Sequence, residues 1–162
     1  QTHQVIILPP VEFIKEFPDE DVTIHIDRMR LTQVITNFLG NAKKFTSQGH
    51  IKLGYFCDKE KKEIHFFVED TGAGIPKEEL QMIFERFYKR NELYRGRLGL
   101  AISKVIVEKM NGHIDVQSEV NKGSRFTAVL PYPVILFLCR LFRQGELTRP
   151  DTPAHPPAPF PV

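Results

Sequence analysis

Cysteine is scarce, and no apolar run is long enough to matter to a membrane. The two cysteines, Cys57 and Cys139, lack metal-ligand spacing, so neither a disulfide framework nor a zinc site is expected and both read as reduced thiols. Val134 to Phe142 is nearly all apolar but only nine residues long, far short of the roughly 20 needed to span a bilayer. No basic segment ahead of an apolar one opens the chain, so no signal peptide is expected and the sequence reads as part of something longer. Charge of one sign is also missing. A net charge of +2 argues neither for nor against nucleic acid, and no nucleic-acid partner is expected. What remains is ordinary globular material: 162 residues, 41% hydrophobic and 26% charged, enough for one domain with a sizeable core.

The most informative stretch is Asp70-Thr71-Gly72-Ala73-Gly74-Ile75-Pro76. It follows Ile64-His65-Phe66-Phe67-Val68, whose β-branched and aromatic residues read as a buried strand, so an acid and two glycines fall at a strand end. A carboxylate there can accept the exocyclic amine of a purine, and the glycines let backbone approach a flat ring. Taken alone, D-x-G-x-G is only a turn signature. Pro76 suits the first position of a following helix.

Upstream, Val5 to Leu8 reads as a short strand and Val22 to Ile26, which alternates, as a half-buried one. His25 and His65 read as strand residues facing solvent or satisfied locally. Asp27 is a good N-cap for a helix running to about Thr46. Leu31, Val34, Ile35, Phe38, Ala42 and Phe45 form its core stripe, and Asn37, Asn41 and Lys44 lie together on the flank within about 60°. Amide oxygens suit Mg²⁺ and a lysine one turn on can meet phosphate; the plain alternative is the wet edge of an amphipathic helix. A meander follows, His50 to Cys57 and then a strand to Val68, joined by the charged tip Asp58 to Lys62.

Beyond Pro76, Glu78 and Glu79 enrich a first turn, with Ile83, Phe84 and Phe87 as apolar anchors. Tyr88 to Leu98 loses periodicity and carries Lys89, Arg90, Arg95 and Arg97, which reads as a mobile lid. Gly99 opens a helix closed by Gly112 as its C′ glycine, and the helix start is a candidate phosphate site. Ile114 to Ser118 and Arg125 to Leu130 read as a hairpin through Asn121-Lys122-Gly123. After Pro131 the character changes: residues 133–143 are apolar and unassigned, and residues 144–162, with six of the twelve prolines between Pro150 and Pro161, read as unpacked.

These segments together resemble sensor histidine kinases of two-component systems. Gln33 to Thr46 resembles their N box, Asp70 to Pro76 the G1 box, Ile83 to Lys89 the F box, Leu98 to Ser103 the end of the G2 box, and Gly112 to Phe126 the closing hairpin. The resemblance covers roughly residues 5–132, so residues 1–132 are expected to form the ATP-binding catalytic domain. It implies an α+β, two-layer α/β sandwich (the Bergerat fold), with a mixed sheet packed on about three helices. It also implies ATP and Mg²⁺ as cofactors, with Asn41 as Mg²⁺ ligand, Asn37 beside it and Lys44 on phosphate. Phe45 would pack on the base, Asp70 would read adenine, and Gly72 and Gly74 would allow the close approach. Ile75, Lys89, Gly96, Leu98, Gly99, Leu100 and Ser124 would line the nucleotide, with Gly99 under the phosphates.

The resemblance further implies a protein-histidine kinase whose partners are a dimerisation domain carrying the acceptor histidine and a response-regulator receiver domain. The full-length protein is then expected to be a homodimer anchored in the bacterial inner membrane, with this domain in the cytosol. None of His3, His25, His50, His65, His113 or His155 has the phosphoacceptor context, so the acceptor lies on another segment or chain. Hydrolytic relatives of the gyrase and chaperone type carry a glutamate where this chain has Asn37; an amide cannot act as general base on water, which disfavours an autonomous ATPase. One departure stands out. The family lid ends G-x-G-L-G-L, and here the residues are Arg95-Gly96-Arg97-Leu98-Gly99-Leu100. The alternative function is therefore a catalytically impaired nucleotide-binding or docking module.

Overall fold

The computed structural model describes residues 10–19, 22–84 and 97–132. The strand expected at Val5 to Leu8, the lid residues up to Gly96 including Lys89 and Arg95, the anchor Phe87 and everything from residue 133 onward, Cys139 included, lie outside the described residues. Eight elements follow in order: β1 (Val11–Glu16), α1 (Arg28–Phe45), β2 (Gly49–Asp58), β3 (Glu63–Asp70), α2 (Lys77–Leu80), α3 (Arg97–Lys109), β4 (His113–Glu119) and β5 (Gly123–Pro131).

The five strands form one mixed sheet in the order β1-β2-β3-β5-β4. β1 pairs parallel with β2, which requires a crossover, and α1 supplies it. The other pairs are antiparallel. Helices α1 and α3 cover one face, giving the two-layer α+β sandwich.

Helix α1 forms because a 3.6-residue apolar stripe is preceded by a capable cap: Asp27 Oδ1 accepts the Arg30 N–H at 3.1 Å. The stripe buries Leu31, Val34, Ile35, Phe38, Leu39 and Ala42 against Ile51, Ile64, Phe66, Val68, Phe126, Ala128 and Leu130. Phe38 is fully buried and its ring stacks obliquely on Phe126, so truncation to alanine would cost about 3–5 kcal/mol. Phe45, expected in the same stripe, is 46% exposed because it is the last residue of the helix, past the last core neighbour.

Alternation along β3 sends Ile64, Phe66, Val68 and Asp70 to the helix side. On the other face Phe67 is also buried, lying over the bare Cα of Gly54 with the Arg125 guanidinium 3.9 Å from its ring centroid. The same face carries an ion ladder across four strands: Glu16–Lys52 at 3.1 Å, Lys52–Glu69 at 3.7 Å and Arg125–Glu69 at 3.1 Å. The ladder holds the Lys52 ammonium above its ordinary pKa, chiefly through the Glu16 hydrogen bond. At the β2–β3 tip Asp58 accepts two backbone N–H groups, from Glu60 and Lys61, which pull its pKa down.

Four expectations need correction. Val22 to Ile26 is no sheet strand: only Thr23 makes a bridge, although Val22, Ile24 and Ile26 pack on the core. The edge strand is instead Val11–Glu16, whose burial does not alternate. Pro76 stands one residue before α2 as its cap, with φ −60° and ψ 145°, because α2 begins at Lys77. Helix α3 begins at Arg97 rather than Gly99, ends at Lys109, and takes Asn111 (φ 59°), not Gly112, as its left-handed C′ residue. The Asn111 and Gly112 N–H groups bond the Glu108 and Val107 carbonyls, a Schellman ending with Asn111 at C′. Gly112 is needed for space, since a Cβ there would come within 2.2 Å of the Val129 carbonyl oxygen.

Candidate functional site

The end of β3, the loop after it, the C-terminal half of α1, the first turn of α3 and the start of β5 converge on the helix side of the sheet. Asp70 closes β3 and pairs in register with Ser124 on β5 and Ile51 on β2. It is 6% exposed, and its Oδ1 accepts the Gly72 N–H at 2.8 Å. No cation pairs with it among the described residues. Burial raises its pKa above the ordinary aspartate value, while the N–H groups of Gly72 and Ser124 and the nearby Thr46 hydroxyl work against the rise. The Thr46 hydroxyl is itself buried and reaches no partner with full hydrogen-bond geometry. A nearly dry carboxylate with spare acceptor capacity is a strong docking point for an N–H donor.

Residues 71–75 are tied down at several points. Thr71 N–H donates to the His50 carbonyl, and the Thr71 hydroxyl accepts the His50 N–H at 2.9 Å. Ala73 N–H donates to the Phe45 carbonyl at 3.2 Å, and its own carbonyl accepts the Asn121 N–H at 2.8 Å. Ile75 N–H donates to Ser118 Oγ at 2.7 Å, and that hydroxyl also touches Ser124 Oγ at 2.9 Å. The two glycines serve this clamping. A Cβ on Gly72 would lie 2.3 Å from the Phe45 carbonyl oxygen, and one on Gly74, at φ +69°, would lie 2.0 Å from that of Glu119. Their expected close approach is therefore made to the chain's own backbone.

On α1, Asn41 is buried and its Nδ2 has no hydrogen-bond partner among the described residues. Asn37, one turn earlier, is not similarly unoccupied: its Nδ2 donates to the Gly99 carbonyl and to Ser103 Oγ, both at 3.0 Å. Lys44 is exposed, with Nζ 5.0 Å from the centroid of the exposed Phe45 ring. Gly99 packs on Asn37; Leu98 is 60% exposed, and Ile75 packs partly on the core. Leu100, expected beside the nucleotide, sends its side chain into the core. Lys89 and Gly96 lie outside the described residues. Sequence reasoning missed Ser118, Ser103 and Thr46. Hydroxyls of this kind give no periodic signal, and only the fold shows what they touch.

Residues 26–134 match the family described as histidine kinase-, DNA gyrase B- and HSP90-like ATPase, which is more than half of the chain. The chain belongs to this ATPase family. Within it the similarity is to the ATP-binding catalytic domain of sensor histidine kinases. The chain is 36% identical over 128 residues to the sensor histidine kinase WalK of Bacillus subtilis, covering 75% of this chain and 21% of that one. It is 42% identical over 112 residues to the sensor protein SrrB of Staphylococcus aureus, covering 66% of this chain and 19% of the relative. It thus spans about a fifth of these relatives. Among solved structures it resembles full-length ShkA in complex with AMPPNP, with TM-score 0.68 and 31% identity over 76% of this chain and 26% of that one. It also resembles the nucleotide-free catalytic domain of histidine kinase ThkA, with TM-score 0.66 and 30% identity over 75% of this chain and 78% of that one.

The donor set fits a magnesium nucleotide better than a stand-alone metal centre. Among the described residues no group of three or more His, Cys, Asp or Glu side chains could hold an ion. Mg²⁺ characteristically takes few protein ligands and completes its shell with phosphate and water; of the Asn41 amide only Oδ1 would serve as such a ligand, and the unpartnered Nδ2 is a donor suited to a phosphate oxygen.

Proposed function

We propose that this domain binds Mg-ATP and donates the γ-phosphoryl group to a histidine on a separate dimerisation domain, none of the six histidines of this sequence being the acceptor. The observation that carries the reading is Asp70: a buried carboxylate at the end of β3 with no cationic partner among the described residues, followed by a loop held by backbone bonds. Asp70 would accept the purine amine and exclude bases that present a carbonyl there. Asn41 would hold Mg²⁺, and Lys44 would reach phosphate. The ion supplies charge neutralisation for the phosphoryl group in transfer.

Asn37 supports transfer over hydrolysis. It cannot take a proton from water, and its N–H₂ is engaged with α3, whereas a neutral imidazole needs no such base. The N–P bond forms as the bond to the ADP oxygen breaks. The acceptor domain, a receiver domain, dimerisation and a membrane anchor belong to the same reading. No helix among the described residues is long and apolar enough to cross a membrane.

Isothermal calorimetry tests the first step, with ATP binding expected only weakly without Mg²⁺ and in the micromolar-to-millimolar range with it. A folded domain that takes no ATP in either condition would overturn the reading. Arg95 and Arg97 favour a second one, an impaired module, because they stand where lid glycines are usual. Phosphotransfer to a supplied acceptor helix, measured before and after restoring glycine at both positions, separates the two. Activity only in the restored variant supports the second.

A further inference from the structure

The Asn37 side chain joins two helices that are far apart in the chain. Its Nδ2 donates both of its hydrogens to α3: one to the Gly99 carbonyl and one to Ser103 Oγ, each at 3.0 Å, across 62 and 66 residues of sequence. Ser103 is completely buried, so its hydroxyl has no water to fall back on. Gly99 fits against Asn37 closely enough that a Cβ would stand 3.2 Å from the Asn37 Cγ. Both acceptors lie within the first two turns of α3, and both donors come from one planar amide. The first of those turns is thereby held at a set distance and rotation from α1, the helix that carries Asn41 and Lys44.

We propose that Asn37 is a positioning residue, a two-point clamp that sets the N-terminal end of α3 against α1 and so places the α3 backbone N–H groups for the triphosphate. This rests on the proposed Mg-ATP reading, in which Lys44 of α1 would reach phosphate and Gly99 at the start of α3 would lie under it. It gives Asn37 a task that differs from metal ligation and from catalysis. A clamp weakens when either end is removed, and it does so before any nucleotide or metal is bound, in the opening of the first turns of α3.

Ser103→Ala and Asn37→Ala are therefore compared with the unaltered protein by two measurements. Hydrogen exchange is read at the backbone amides of the first turns of α3 without nucleotide, and ATP and adenosine affinities are read by calorimetry. Loss of one net hydrogen bond corresponds to roughly five- to ten-fold faster opening. The expected result is that order of increase at residues 100–103 in both variants, larger in Asn37→Ala, with protection in the middle of α1 unchanged. ATP affinity should fall several-fold in both while adenosine affinity holds. Unchanged exchange and ATP affinity in Ser103→Ala would overturn the clamp, as would an equal loss of ATP and adenosine binding in both variants. If the unaltered protein binds no nucleotide, the proposed function fails, and the exchange measurement still decides the clamp.

Discussion

Replacing Asp70 by asparagine separates what this residue does for the fold from what it does for a ligand. The change is nearly isosteric. Asparagine Oδ1 can keep the 2.8 Å bond from the Gly72 N–H, so the loop should stay in place. What is lost is charge. A hydrogen bond to an ionised group is worth about 1.5–3 kcal/mol and a neutral one about 0.5–1.5 kcal/mol, so the difference of roughly 1–1.5 kcal/mol predicts ATP affinity about ten-fold weaker. Discrimination should fall as well, because the amide can turn its N–H₂ toward a base that presents a carbonyl, and GTP should gain on ATP. Stability should move the other way. Burial raises the Asp70 pKa above its unfolded value of 3.8, so the ionised carboxylate disfavours the folded state at neutral pH. The contribution is favourable below that unfolded value and is lost as pH rises through the folded pKa. Asp70→Asn should therefore unfold at a higher temperature than the parent near pH 7, with the gap closing as pH falls toward 4. Calorimetry with ATP and GTP, together with thermal unfolding across that pH range, reads both effects. Unchanged ATP affinity in a folded variant would refute the purine assignment, and a lower melting temperature at pH 7 would refute the burial argument.

Asn41→Leu removes a buried amide whose Nδ2 has no partner among the described residues, so melting temperature should hold or rise while the Mg²⁺-dependent part of ATP binding disappears, measured by unfolding and by calorimetry with and without the ion. Gly74→Ala puts a side chain at φ +69° and 2.0 Å from the Glu119 carbonyl; the backbone strain alone costs about 1 kcal/mol, and the clash should take the total past about 2 kcal/mol in denaturant unfolding. Ser118→Ala deprives the Ile75 N–H of its acceptor and should cost about 1 kcal/mol, with ATP affinity falling because residues 71–75 are less well held; equal affinity in the variant would show that this anchor does not matter to the ligand.

The parts of this protein that were legible in advance are those in which neighbours in sequence are neighbours in space. Helix α1 could be read because its apolar residues recur at helical spacing behind Asp27, and the β2–β3 and β4–β5 hairpins because their turns are local and fall between runs of apolar, β-branched and aromatic residues. The boxes that mark the family were legible for the same reason, as short contiguous strings. Strand β1 was missed because its pattern has no two-residue period and its support comes from a parallel partner beginning at Gly49. Val22 to Ile26 has the alternation of a strand, yet only Thr23 finds a bridge there.

Residue chemistry along the chain determined that an acid would end a buried strand and that two amides would share one flank of a helix. Tertiary structure alone decided what each of them meets. Gly72 and Gly74 could be read as room for a ligand until the Phe45 and Glu119 carbonyls appeared in that space. Asn37 and Asn41 look alike on a helical wheel, and they part company because Gly99 and Ser103, more than sixty residues away, come to lie against one and not the other. A side-chain hydrogen bond needs its two atoms within about 3 Å, and the crossing of α1 and α3, which sets that distance, is written in the packing of the whole core rather than in any stretch of sequence.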